Sequence, residues 1–280
     1  MITKSGNIEI PGLNGRGIVM DYRHNENSNQ KPLILFCHGF KGFKDWGHFN
    51  LIADEFAKKD FILLKFNFSF NGGTFENPID FPDLEAFGNN NHSKELDDVN
   101  QVVKYVQSES IALPYWNGEI YILGHSKGGG LVSVAAGQNN EIIKLATWAS
   151  ISDFNYAIPE GKKLLTWKEE GVQFIKNGRT KQDMPMYYQF VLDLQTNSRK
   201  LSIQKAVENL EIPHLIIHGT GDESVDIKNA RLLKLWNNDA DFFEIENANH
   251  VFNGKHPWIQ NNLPKETVKA IEKTVEFFQS

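Results

Sequence analysis

The motif G-H-S-K-G-G at residues 124–129 combines a serine with the small neighbours that a serine nucleophile needs. An apolar segment of strand length, Glu119 to Leu123, precedes it, and a helical segment rich in small residues follows it. A G-x-S-x-G pattern alone is a weak signal. In a sharp turn from strand to helix, however, flanking glycines let the serine adopt a strained conformation that exposes its hydroxyl. We therefore predict that Ser126 is a nucleophile at the carboxyl edge of a sheet.

A serine hydroxyl needs a base to accept its proton, and histidine is the usual one. The chain has nine histidines. His250 stands in a short polar loop after the last predicted strand, whereas His256 precedes Pro257 in a loop. We predict that His250 is the base, with His256 as the second candidate.

The base in turn needs a buried carboxylate, which fixes its tautomer and stabilises the imidazolium. The turn H-G-T-G-D-E-S-V-D at residues 218–226 directly follows the predicted strand His214 to Ile217. Asp222 lies at the tip of this turn, and Asp226 is expected to begin a helix, where an acidic residue favours the helix dipole. We predict Asp222 as the orienting acid, with Asp226 as the alternative. The chain order Ser, Asp, His then differs from both common protease orders.

An acyl-transfer site also needs N–H groups aimed at the oxygen that gains charge. The loop H-G-F-K-G at residues 38–42 leaves the end of a buried strand, and Gly39 allows a turn beneath the site. We expect the oxyanion hole to consist of the backbone amides of Phe40 and Lys127.

Composition excludes several other classes of protein. The chain has 280 residues, 12% of them aromatic, and a net charge of 29 − 35 = −6 without a basic patch, so neither disorder nor nucleic-acid binding is expected. The single cysteine, Cys37, lies in an apolar run and is expected to be buried. Neither a secretory signal nor an apolar run of about 18 residues is visible, so we expect a cytoplasmic protein without a membrane span.

Apolar segments of strand length alternate with segments of helical periodicity, which predicts an α/β fold with a mostly parallel sheet flanked by helices. The predicted strands are Gly17 to Tyr22, Leu33 to Cys37, Phe61 to Phe66, Glu119 to Leu123, Lys144 to Ala149, His214 to Ile217 and Phe242 to Ile245. The predicted helices are Asn50 to Lys59, Ser93 to Gln107, Leu131 to Ala136 and Pro264 to Phe278. Asp97 and Asp98 are expected on the solvated face of their helix.

The alternation stops at residues 153–210. We predict that this segment is a small helical lid, inserted into a core formed by residues 1–152 and 211–280, with an ordinary pair of crossover helices as the alternative. Its aromatic side chains are candidates for a substrate pocket, because small-molecule sites are mostly apolar. These candidates are Trp167, Phe174, Tyr187 and Tyr188.

No metal or nucleotide site is predicted. His214 and His218 are four residues apart on a strand, so their α-carbons lie about 13 Å apart and the two side chains cannot share one metal ion. The glycines at 128–130 have neither dinucleotide-fold nor P-loop spacing.

Four segments together resemble the α/β-hydrolase fold over essentially the whole chain. They are the H-G-F loop at 38–40, the G-H-S-K-G-G motif, the turn at 219–222 and the pair at 249–250. Within that fold the chain is similar to bacterial carboxylesterases related to cinnamoyl (feruloyl) esterases and dienelactone hydrolases. The resemblance implies hydrolysis of small carboxylic esters, aryl or with short-to-medium acyl groups, through an acyl-enzyme and without a cofactor. Dienelactone hydrolases use a cysteine nucleophile, so Ser126 argues against that activity.

Other functions stay open at this point. An aminopeptidase of the same fold would need an acidic pocket, for which Glu169 and Glu170 are candidates. An acyltransferase would use the same intermediate, and a non-catalytic binding protein would normally have lost one of the three catalytic residues. The sequence does not decide between a monomer and a homodimer.

Overall fold

The computed structural model describes residues 1–108 and 113–280 and contains a nine-stranded sheet. The strands of this sheet are β1 (Ile2–Lys4), β2 (Ile8–Pro11), β3 (Gly17–Asn25), β4 (Lys31–Cys37), β5 (Ile62–Phe66), β6 (Trp116–His125), β7 (Ile142–Trp148), β10 (His214–Gly219) and β11 (Asp241–Ile245). A separate two-stranded sheet is formed by β8 (Val172–Lys176) and β9 (Asp183–Tyr187).

The helices are α1 (Phe49–Lys58), α2 (Leu84–Gly88), α3 (His92–Gln107), α4 (Lys127–Ala136), α5 (Lys162–Glu170), α6 (Gln189–Thr196), α7 (Ile203–Glu208), α8 (Lys228–Trp236) and α9 (Lys265–Gln279). A short 3-10 helix spans Phe154–Ala157.

Six strands of the large sheet run parallel, in the order β5-β4-β6-β7-β10-β11. Strand β3 pairs antiparallel with β5, and β1 and β2 both pair with β3. Because parallel strands end at the same edge of a sheet, the loops that follow β4, β6, β10 and β11 meet at one edge. In open α/β sheets this edge is where ligands bind.

Alternate side chains of the central strands pack into two helical layers, as the period of a strand requires. Leu33 and Leu35 belong to the core on the side of α3, α4, α7 and α8, whereas Ile34 and Phe36 belong to the core on the side of α1 and α9. Cys37 is buried, as predicted. The predicted fold class, α/β with a mostly parallel sheet between helices, is confirmed.

The segment 153–210 lies between β7 and β10 in the chain and contains the 3-10 helix, α5, the β8–β9 hairpin, α6 and α7. The hairpin is antiparallel and was not expected from the sequence, which predicted only helices here. A cluster of buried residues joins the hairpin to loops of the core, and we call it the insertion cluster. Its members are Phe43, Phe81, Phe87, Trp167, Met184, Met186, Phe190 and Val191.

Asp98 corrects one expectation from the sequence. It is fully buried on α3 rather than solvated, and its carboxylate accepts hydrogen bonds from the amide of Ser69, at 2.7 Å, and from the Ser69 hydroxyl. Burial raises the pKa of Asp98 to about 7. The helical pattern was predicted correctly, but the partner of Asp98 comes from the loop after β5, which periodicity does not reveal.

Candidate active site

Ser126 lies in the turn between β6 and α4, with φ 59° and ψ −123°. Such a backbone conformation is strained for a residue with a side chain and is typical of functional sites. The glycines on either side are required by close approach: a Cβ on Gly124 would lie 2.4 Å from the carbonyl oxygen of Gly128, and one on Gly128 would lie 2.4 Å from that of Cys37. The motif therefore folds as a tight turn that presents the serine at the carboxyl edge.

His250 joins Ser126 to Asp222. Its Nδ1 lies 2.8 Å from Oδ2 of Asp222, and its Nε2 lies 2.9 Å from Oγ of Ser126. An ionised carboxylate only accepts hydrogen bonds, so the proton of the neutral imidazole belongs on Nδ1. The lone pair on Nε2 then faces the Ser126 hydroxyl, which is the arrangement that a general base requires.

Asp222 is held by its own turn. Its side chain is fully buried, and Oδ1 accepts hydrogen bonds from the amides of Ser224, at 2.8 Å, and Val225, at 2.9 Å. Burial alone would raise the pKa of Asp222, but hydrogen bonds from His218, His250 and the Val225 amide keep it well below its usual range. The carboxylate therefore stays ionised beside His250.

His125, the residue before the serine, also contacts His250. Its Nε2 lies 2.8 Å from the backbone carbonyl oxygen of His250 and donates to it, and the two rings are 4.9 Å apart. Burial lowers the pKa of His125 to about 3, so the ring is neutral near pH 7. This hydrogen bond connects the turn that carries the serine to the loop that carries the histidine.

The loop that carries Phe40 and the helix that begins at Lys127 both adjoin Ser126, and the oxyanion role of their two amides stays a prediction. A Cβ on Gly39 would be 2.9 Å from the Cβ of Ser126, which shows how closely the loop after β4 passes the serine before it reaches Phe40. Lys127 is the first residue of α4, so its N–H group has no partner within the helix.

The side chain of Lys127 points away from solvent and forms a buried ion pair with Glu95 of α3. Its ammonium also lies 5.2 Å from the ring centre of Phe68 and 5.9 Å from that of Phe40. Burial would raise the pKa of Glu95, but Lys127 and His92 lower it to about 2. The pair fixes the first turn of α4 against α3, and it was not predicted from the sequence.

A cavity of about 130 Å³ opens beside Ser126. It is lined by Gly39, Phe40, Lys41, Gly42, Trp46, Phe49, His125, Ser126, His250 and Val251. Sequence reasoning missed Trp46, Phe49 and Val251 as walls of this cavity. Their position in the sequence could have indicated this, since Trp46 and Phe49 follow the predicted oxyanion loop within ten residues.

The four aromatic residues proposed from the insertion are not among the residues that line this cavity. Trp167 is 1% exposed and donates its indole N–H to the carbonyl oxygen of Met186 at 2.8 Å, within the insertion cluster. Phe174 is 63% exposed and, with Trp167, lines a different surface cavity. Tyr187 donates its hydroxyl to Glu85 at 2.5 Å, and Tyr188 packs against the insertion cluster.

The two alternative residues lie elsewhere. The side chain of Asp226 is 59% exposed, and its Oδ1 accepts a hydrogen bond from the amide of Lys228. His256 accepts a hydrogen bond from the amide of Gly47 at 2.7 Å. Neither of these contacts involves Ser126 or His250.

Residues 1–108 and 113–280 contain neither a candidate membrane span nor a candidate metal cluster. No helix there is both long and apolar enough to cross a membrane. The same residues include no group of three or more His, Cys, Asp or Glu side chains placed to hold a metal ion.

In α/β hydrolases the serine stands in a strained turn from strand to helix, and an acid and then a histidine follow later parallel strands of the sheet. This chain has the same arrangement. The fold and the site therefore define the class of this protein, a hydrolase of the α/β-hydrolase fold. More closely, the chain belongs to the BD-FAE family, whose profile matches residues 20–236.

Solved structures with the same fold come from several bacteria and an archaeon. Est1E from Butyrivibrio proteoclasticus with bound ferulic acid is 19% identical, with a TM-score of 0.72 over 98% of this chain and 100% of that one. The esterase domain of a Rhodothermus marinus protein is 16% identical, with a TM-score of 0.64 over 99% and 97% of the two chains. An acylaminoacyl peptidase from Pyrococcus horikoshii is 15% identical, with a TM-score of 0.66 over 99% of this chain and 41% of that one. No curated protein sequence matches the chain.

Proposed function

We propose that this protein is a serine carboxylesterase that hydrolyses small carboxylic esters through an acyl-enzyme, with Ser126, His250 and Asp222 as its catalytic triad. The observation that carries the proposal is the continuous hydrogen-bonded chain from Ser126 Oγ through His250 to Asp222 Oδ2, with distances of 2.9 and 2.8 Å. Membership of the BD-FAE family and the likeness to esterase structures support the choice of an ester substrate.

In the first half-reaction, His250 Nε2 takes the proton of Ser126 as Oγ forms a bond to the ester carbonyl carbon. The carbonyl oxygen becomes an oxyanion and accepts hydrogen bonds from the amides of Phe40 and Lys127. The carbon–oxygen bond to the alcohol then breaks, and His250 returns the proton to the leaving alcohol. The acyl group is now an ester of Ser126.

In the second half-reaction, His250 removes a proton from water while the water oxygen attacks the acyl carbon. The bond to Ser126 Oγ breaks, His250 reprotonates the serine and the carboxylic acid leaves. Asp222 keeps the imidazole in the Nδ1–H tautomer and stabilises the imidazolium in both halves.

The size of the cavity points to a short group on the substrate. A dry cavity of about 150 Å³ is large enough for benzene, and this one measures about 130 Å³ with walls that include Phe40, Trp46 and Phe49. We therefore propose substrates with an acyl group of a few carbons.

A peptidase is not our proposal. Glu169 and Glu170, the acidic residues that were candidates for binding a free amine, are exposed at the end of α5 and do not line the cavity at Ser126. The peptidase among the similar structures supports the fold only.

The test is steady-state hydrolysis of p-nitrophenyl esters from acetate to octanoate by the wild type, Ser126→Ala and the control Ser133→Ala. Ser133 is buried on α4, and its hydroxyl donates to the carbonyl oxygen of Gly129. We expect Ser126→Ala to lower kcat by at least about a thousandfold, Ser133→Ala to keep the wild-type rate, and short esters to be the best substrates.

A fluorophosphonate should label the wild type, with fluoride leaving as the bond from Oγ to phosphorus forms. A slow rate that is the same in the wild type and in Ser126→Ala would contradict the proposal and favour a binding protein.

A further inference from the structure

Asp222 has a second histidine beside it that the mechanism above does not use. Nε2 of His218 lies 3.2 Å from Oδ2 of Asp222, the same oxygen that accepts the hydrogen bond from His250. Both side chains in this contact, His218 and Asp222, are fully buried.

The proton on His218 is placed by its neighbours. Nε2 also lies 2.8 Å from the backbone carbonyl oxygen of Val225, and a carbonyl oxygen and a carboxylate oxygen can both only accept. Nε2 therefore carries the hydrogen, which lies mainly toward Val225 and partly toward Asp222. The N–H dipole points its partial positive charge at a buried carboxylate, where it is most effective because little water is present.

We propose that His218 is a positioning residue for the candidate triad: its Nε2–H, shared between the Val225 carbonyl and the Asp222 carboxylate, holds that carboxylate ionised and aimed at His250. The inference rests on the proposed function of Ser126, His250 and Asp222.

The surroundings of Asp222 support this role. The titratable groups that face it are His218 from β10, His250 from the loop after β11 and His125 from β6. His218 and His250 share Oδ2, while backbone amides occupy Oδ1. Loss of the His218 donor would remove one of the two ring N–H groups on Oδ2, so that the side chain is less firmly oriented and its negative charge is balanced by His250 alone.

The experiment compares His218→Leu, which removes the donor, with His218→Gln, whose amide nitrogen can replace it. His214→Leu is the matched control, because His214 is also buried on β10 but its Nε2 contacts the hydroxyl of Thr147 at 3.1 Å instead of a carboxylate. We expect His218→Leu to lower kcat about tenfold with little change in KM and to move the acidic limb of the profile of kcat/KM against pH to higher pH. His218→Gln should restore both, and His214→Leu should change neither.

A wild-type pH profile in His218→Leu, or a loss of thermal stability alone that equals the loss in His214→Leu, would overturn the role of His218 while leaving the proposed hydrolase intact. The ¹⁵N NMR shifts of the His218 ring test the inference without any turnover. They should report the Nε2–H tautomer, and the Nδ1–H tautomer would overturn the inference. A wild type that hydrolyses no ester would instead contradict the proposed function.

Discussion

Large and charged side chains have different roles at the carboxyl edge of the sheet and in the insertion at residues 153–210. At the sheet edge, Ser126 directly follows β6, and Asp222 and His250 lie in the turns after β10 and β11. His250 contacts Ser126 across 124 residues of sequence and Asp222 across 28. In the insertion, the largest side chain, Trp167, is buried against Met186 and core phenylalanines and does not line the cavity at Ser126.

This difference indicates that the candidate catalytic residues and the cavity both belong to the sheet edge and not to the insertion. The walls of the cavity come from the loops after β4, β6 and β11 and from the start of α1, and no residue of 153–210 is among them. The insertion contributes packing: its cluster includes Phe43 from the loop after β4 and Phe87 from α2, so the β8–β9 hairpin packs against these parts of the core. The following predictions test this division, beginning with the largest effect.

Of the substitutions in this comparison, Asp222→Asn should have the largest effect on catalysis, because an amide at this position cannot hold His250 in the Nδ1–H tautomer. We expect kcat to fall by about 10⁴-fold with an unchanged fold. Asp226→Asn is the control, since Asp226 is exposed and its Oδ1 accepts only the Lys228 amide among the described residues. Steady-state kinetics and circular dichroism of the two variants provide the measurement. An equal loss in both variants would contradict the assignment of Asp222.

Trp167→Ala should change stability rather than substrate preference. Removing a fully buried tryptophan typically costs about 3–5 kcal/mol of unfolding free energy, and here it would also leave the Met186 carbonyl without its hydrogen bond. The exposed Phe174 provides the control, because Phe174→Ala should change stability by less than about 0.5 kcal/mol.

Urea unfolding of the two variants measures these costs, and the series of p-nitrophenyl esters measures preference. If Trp167→Ala keeps the wild-type stability but prefers esters of a different chain length, the insertion does reach the substrate. The insertion would then contribute to substrate binding as well as to packing.

The sequence was informative where a residue is defined by its immediate neighbours. The strand before Ser126, the turn around Asp222 and the loop at His250 each carry local signals, and α3 begins one residue before its predicted start and ends at the predicted Gln107. The fold class followed from the alternation of these local patterns. The positions of the candidate triad followed from the rule that parallel strands end at one edge.

The sequence was uninformative where a side chain is defined by distant partners. Trp167 is buried by residues that include Phe43 and Phe87, more than 75 positions away, and Asp98 is buried because Ser69 supplies two donors. Neither contact leaves a periodic trace in the chain. The packing role of Trp167 and the Glu95–Lys127 ion pair could therefore be found only from the three-dimensional structure.

Trp46→Ala should have the smallest effect, because it alters one wall of the cavity and none of the candidate catalytic groups. It tests whether the loops at the sheet edge, and not the insertion, form the substrate cavity. Removing the indole should enlarge the cavity of about 130 Å³ and move the preferred ester to a longer acyl chain. We expect the ratio of kcat/KM for octanoate over acetate to rise about tenfold, since a hydrophobic wall discriminates between chain lengths by such amounts. Trp258→Ala is the matched control: Trp258 packs near His48, donates to the carbonyl oxygen of Asn262 and is not among the residues that line the cavity. If both variants keep the wild-type optimum, Trp46 does not limit the length of the acyl chain, and the assignment of this cavity to the acyl group is wrong.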